Sequence, residues 1–369
     1  MPSNRRPIVI VLVALAVLGV VLYRINFSDD AAPRPTPLPT TSAEPSGEGS
    51  PQPSAAASVE PSQAPVALTV GLGYIPSVQF APFYLADQAG YYTEAGLTVD
   101  FQNKIDPDLI TLVGQGSIDV GLADGTSVIP AVSQGIPIKY VATIYGKFPS
   151  IVFAKASSGI AAPADLAGKR LGIPGRYGSS WIMLQALLAS ANLTPDDLEI
   201  VEYPDFGQGA AVIAGAVDAS TGFANNEPVQ LELTGEPAII LRVDEVVPLP
   251  GNGLIVGTST LTSKRDAIVA FIAATLRAMG EIAADPAKGL DAAIVAVPEL
   301  ATARDTHAAI LDATIDVWTG PAQVDGGLGA IRAADWQASI DYLTTLKLVP
   351  NPITTDDVID ASLLPSSGY

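Results

Sequence analysis

The first regular pattern along this chain is an apolar run, Val66 to Leu72, whose length and composition predict a buried strand. Gly73 to Pro82 breaks it. Pro76 and Pro82 each lack a backbone N–H, so the stretch predicts a loop at the strand's carboxyl end. From Pro82 the period lengthens: Phe83, Leu85, Ala86 and Ala89 can share a helix face, Pro82 suits the first turn and Gly90 the position just past the last. Leu97, Val99 and Phe101 then alternate with Thr98 and Asp100, which gives a second strand and completes a βαβ unit of a parallel sheet. In open α/β sheets ligands bind beyond the carboxyl ends of the strands, so Tyr74, Pro76, Gln79 and Phe80 fall where a ligand would sit.

The same grammar continues. A helix over 106–116 leads to a strand over 118–123 ending at Asp124; a helix through Val132 closes at Gly135, and strands follow over 138–144 and 151–154, the latter a candidate crossing between two lobes. A second block repeats the order. It runs through a strand at 168–173, a loop from Pro174 to Ser180, a helix over 181–191, a strand at 198–201, a helix over 208–214 and a strand over 217–223 that ends at Ala224 to Pro228. One phrase is paired between the blocks: Leu112 to Asp124 (LVGQGSIDVGLAD) against Val212 to Asn225 (VIAGAVDASTGFAN). Both set a glycine and an aliphatic-Asp pair before a short strand and a polar loop, as expected if each lobe supplies one wall of a shared cleft. Residues 253–257 would return the chain to the first lobe. Helices follow over 264–284, capped by Ser263, and over 302–317 and 333–346. The expected division is 66–152 and 251–350 in one lobe and 153–250 in the other, with 351–369 as a tail.

The ends read differently. Arg5 and Arg6 precede an apolar run from Pro7 to Tyr23, so 1–27 reads as a membrane anchor or a signal peptide. The lack of a small-x-small cleavage site favours an anchor. By the positive-inside rule the expected location is the cell membrane, with a single N-terminal span and the globular part extracytoplasmic. Residues 28–65, rich in Pro, Ser and Ala, predict a disordered tether.

Composition narrows the chemistry. A net charge of −19 argues against nucleic acid, because phosphate binding requires clustered Lys and Arg. The absence of cysteine removes disulfides, thiolate metal sites and thiol nucleophiles. No metal and no cofactor is expected, and the chain is expected to be a monomer. Gly71-x-Gly73-x-x-Pro76 fails as a dinucleotide fingerprint, since Pro76 replaces the third glycine and the helix begins too late. The single histidine, His307, falls on a predicted C-terminal helix, and no serine elbow, zinc helix or phosphate loop is present, so no catalytic residue is assigned and the chain is expected not to be an enzyme.

Binding is better supported. In the loop from Pro174 to Trp181, Gly175 and Gly178 let backbone amides turn towards a ligand, Ser179 and Ser180 can cap the next helix, and that helix's N-terminus favours anionic or carbonyl groups; the alternative is an ordinary loop with a serine cap. Arg176 could clamp a ligand or be solvated. Tyr74, Phe80, Tyr145, Tyr177 and Trp181 recur at predicted loop mouths, where stacking faces suit a flat heterocycle. Asn225, Asn226 and Glu227 could read the edge of such a ring, and Asp124 is the matching position in the first block.

Three stretches also carry a resemblance: Gly73-Tyr74-Ile75-Pro76, Ala81-Pro82-Phe83-Tyr84-Leu85-Ala86, and Gly90 through Val99. Together they resemble the first unit of the NMT1/THI5-like solute-binding proteins of ABC importers, and the Tyr-Ile-Pro-x-Val-Gln-Phe-Ala-Pro wording is closest to the riboflavin-binding members. The resemblance implies a bilobal type II periplasmic-binding-protein fold, two doubly wound α/β lobes joined by a two-segment hinge. It further implies capture of riboflavin or a related heterocycle and delivery to an ABC permease and ATPase. A thiamine pyrimidine precursor is the alternative ligand. Eukaryotic pyrimidine synthases of the family depend on a histidine near the first lobe and a cysteine-rich motif, and this sequence has neither.

Overall fold

A computed structural model describes residues 64–103, 108–245 and 247–365. The ten strands are β1 (Val66–Gly71), β2 (Leu97–Gln102), β3 (Val120–Ala123), β4 (Ile138–Thr143), β5 (Ser150–Lys155), β6 (Arg170–Ile173), β7 (Glu199–Glu202), β8 (Ala219–Phe223), β9 (Ala238–Arg242) and β10 (Gly253–Gly257). They form two five-stranded sheets, β2-β1-β3-β10-β4 and β7-β6-β8-β5-β9. In each sheet one strand runs against its neighbours: β10 is antiparallel to β3 and β4, and β5 is antiparallel to β8 and β9. The expected fold class is therefore borne out as two mixed α/β lobes.

The paired phrase has a structural meaning. Asp119 accepts a hydrogen bond from Thr69 N at 2.9 Å, and Asp119 N donates to Thr69 O at 3.0 Å. In the second lobe Asp218 accepts from Arg170 N at 2.9 Å, and Asp218 N donates to Arg170 O at 2.9 Å. Each aspartate thus latches the start of the third strand of its block onto the first. Each also holds a cation: Lys264 lies 2.8 Å from Asp119, and Arg170 Nη2 lies 2.9 Å from Asp218.

The first lobe is packed by the helices Ala81–Gln88 and Arg265–Ala284, whose apolar faces meet through Phe83 and Phe271, with Tyr92 stacked on Phe271 at 5.1 Å. Several helix limits differ from expectation. Ser263 does not cap the long helix; it ends the preceding one, Thr258–Ser263, and its hydroxyl donates to Ser259 O. Pro286 opens a helix, Pro286–Ala296, because a proline in the first turn forfeits no intrahelical bond. Helix Glu227–Glu232 and edge strand β9 were not expected.

The structure corrects the expected localisation. Among the described residues, the helix long and apolar enough to cross a membrane is Arg265–Ala284, not a segment at the N-terminus, and over half of it is buried inside the protein. The run from Pro7 to Tyr23 and the tether lie outside the described residues.

Candidate functional site

Four strand ends converge on one cavity. β1 stops at Gly71, and the chain turns through Gly73, at φ 69°, to present Tyr74; a tight turn, Val78–Phe80, then buries Gln79 and Phe80. β3 stops at Ala123, and Asp124 caps helix Gly125–Ser133 by accepting from Thr126 N at 2.9 Å and Ser127 N at 3.1 Å. From the second lobe, β6 leads to Pro174 and Tyr177 ahead of helix Gly178–Ser190, and β8 leads to Asn226 and Glu227. Their side chains enclose about 350 Å³, within the range of small-molecule sites.

The walls are aromatic and aliphatic, with hydroxyl, amide and two carboxyl groups set among them. Tyr74 meets Phe206 edge to face at 5.6 Å across the cleft. Burial, with the charge of Glu227 adding, pushes the Tyr74 phenol up to about 12. Tyr145 is buried and donates to Gln79 Oε1 at 3.4 Å. Burial raises the Asp124 carboxyl above its ordinary range, opposed by the hydrogen bonds it accepts from Thr126 and Ser127. Burial likewise raises Glu227, against the hydrogen bond it accepts from Phe223 N at 2.8 Å. Gln208 Oε1 and Asn252 Oδ1 are buried without a hydrogen-bond partner.

Of the residues singled out from sequence, Tyr74, Gln79, Phe80, Asp124, Tyr145, Tyr177, Ser179, Ser180, Asn226 and Glu227 line this cavity. Pro76, Trp181 and Asn225 do not. Pro76 is exposed, because the loop turns its apex to solvent. Trp181 packs on the core of the second lobe beneath Arg176, whose guanidinium lies 5.4 Å from the indole and 3.2 Å from Glu202. Asn225 is fully buried and donates to Thr314 Oγ1 at 2.9 Å, tying the end of β8 to helix Arg304–Trp318. Ser179 and Ser180 sit inside the first turn of their helix, which Tyr177 precedes with no side-chain cap. Phe206, Gln208 and Asn252 line the cavity without having been singled out. Phe206 follows the mouth of β7 and could have been found by the aromatic rule applied to the other mouths.

Riboflavin-binding protein RibY of Chloroflexus aurantiacus is 29% identical over 337 residues, covering 90% of this chain and 94% of RibY. The 4-amino-5-hydroxymethyl-2-methylpyrimidine phosphate synthase of Legionella pneumophila is 27% identical over 242 residues, covering 64% of this chain and 75% of the synthase. Among solved structures, the alkanesulfonate-binding protein SsuA from Xanthomonas axonopodis pv. citri bound to MOPS matches with a TM-score of 0.60 at 20% identity, over 82% of this chain and 98% of that one. At that identity the likeness speaks for the fold. The synthases, which include fungal proteins of the same name, overturn the expectation that catalysis is excluded: similarity to this chain extends to proteins named as enzymes. The sequence pattern of the NMT1/THI5-like family matches residues 77–289, more than half of the chain, and the protein belongs to that family.

Proposed function

We propose that this protein is the solute-binding component of an ABC importer, holding a planar heterocycle between its lobes and passing it to a permease and ATPase. The observation that carries the reading is a single cavity walled by both lobes at their strand ends, with Tyr74, Phe80, Tyr177, Phe206 and Phe223 around it. Aromatic faces of this kind bind flat rings, and a cleft between lobes suits hinge closure. In this reading 66–152 and 251–350 move as one body and 153–250 as the other.

Riboflavin is the first ligand to test, because the similarity to RibY runs nearly the full length of both chains. Binding to the full chain should quench flavin fluorescence and raise the melting temperature. Absence of both effects removes riboflavin, and a thiamine pyrimidine precursor becomes the next ligand in the same assay. The synthase relatives favour a second reading, turnover at this cavity; mass spectrometry for 4-amino-5-hydroxymethyl-2-methylpyrimidine phosphate after incubation with reactants decides it.

A further inference from the structure

The cavity offers carboxyl groups and unpartnered acceptors to a ligand, and no cation. Among the described residues that line it there is no lysine, arginine or histidine, while Asp124 and Glu227 both face it. Arg176, the nearby guanidinium, is engaged by Glu202 and Trp181 outside the lining. Gln208 Oε1 and Asn252 Oδ1 are buried acceptors without protein partners, which a ligand's N–H or O–H would satisfy.

One helix end repeats the message. A helix N-terminus ordinarily attracts phosphate or sulfonate. Here the N-terminus of helix Gly125–Ser133, which opens on the cleft, is already occupied by a carboxyl group of the chain: Asp124 accepts from Thr126 N and Ser127 N.

Resting on the reading of this cavity as the ligand site, we infer that it takes uncharged ligands rich in N–H and O–H donors and rejects their phosphate or sulfonate forms. A phosphate placed here would lose its hydration, meet no cation on the described walls and lie beside two carboxyl groups. A vitamin in its free form fits; the same vitamin as a phosphate ester does not.

The test compares riboflavin with flavin mononucleotide, its phosphate ester, on the full chain by calorimetry, with thermal shift by MOPS and by inorganic phosphate alongside. Burying the ester's charge with no cationic partner, beside two carboxyl groups, predicts binding of the ester weaker by about 100-fold or more, and no saturable shift with MOPS or phosphate. Asp124→Asn, which keeps the helix cap, and Glu227→Gln should each narrow the gap between the flavins. Equal or tighter binding of the ester overturns the inference while leaving the binding-protein reading intact. If neither flavin binds, the riboflavin reading falls and the anion probes alone decide: a saturable response to MOPS or phosphate refutes the inference, and none supports it.

Discussion

Tyr74 and Phe206 come from different lobes and meet with their rings 5.6 Å apart and inclined at 74°. Phe206 does so from a left-handed backbone, φ 60°, a conformation bulky L-residues rarely adopt. The ordinary ranking of substitutions should therefore invert at this position. Phe206→Gly relieves the backbone and Phe206→Ala does not, so the glycine variant should be the more stable of the two by roughly 1 kcal/mol in urea titrations. Both should weaken ligand binding by about tenfold through loss of an aromatic wall. An alanine variant more stable than the glycine variant would show that Phe206 carries no strain.

Asp218 should lend the fold acid-sensitive stability. Hydrogen bonding from the Arg170 side chain and then from its backbone N–H holds the carboxyl below its ordinary value of 3.8. A depressed value stabilises the folded state above the ordinary carboxylate range, and that contribution is lost as pH falls through the folded value. Asp218→Asn should accordingly melt below wild type at pH 7, with the gap closing in strong acid. A gap that persists unchanged at the acid end would assign the loss to packing instead.

Glu227 should act with the opposite sign. Burial raises its carboxyl above 4.5, so the ionised form is disfavoured by folding, and stability is lost as pH rises from the ordinary value through the folded one. Glu227→Gln keeps an acceptor for Phe223 N while removing the charge. Its melting temperature should exceed that of wild type at pH 7, and the two curves should converge below about pH 4.

Gly146 and Gly320 should be intolerant of any side chain. A Cβ on Gly320 would lie 2.0 Å from Gly146 O, and one on Gly146 would lie 2.4 Å from Gly320 N and 2.6 Å from Trp318 O. These atoms are held by backbone bonds, Gly146 N to Trp318 O at 3.1 Å and Lys147 N to Val317 O at 3.0 Å, so they cannot retreat. Either glycine replaced by alanine should cost upwards of about 3 kcal/mol in chemical denaturation. A loss under about 1 kcal/mol would mean that this crossing deforms easily.

Much of the fold is legible in periodicity because the strands are buried and the helices one-sided: β1, β3, β4 and helix Gln208–Ala214 emerge within a residue or two of their expected limits. Strand β9 is not, since it lies at a sheet edge and only Leu241 within it is buried, so no clean alternation marks it. At the site, the rule that ligands sit beyond strand ends finds Tyr74, Gln79, Asp124 and Glu227. It cannot find Gln208 or Asn252, whose position depends on how two halves of the chain come together. Asn225 misleads for a related reason: next to Asn226 in sequence, it turns inward to Thr314, a partner 89 residues away that no local pattern announces.

The place of β10 also sets an order of events during synthesis. It is the slat between β3 and β4, yet it follows the entire second sheet in the chain. On the ribosome, the second half can zip shut as soon as β9 has emerged, whereas the first must wait, split down the middle, until residue 257 is out of the exit tunnel. The earlier-made half is thus the later to mature.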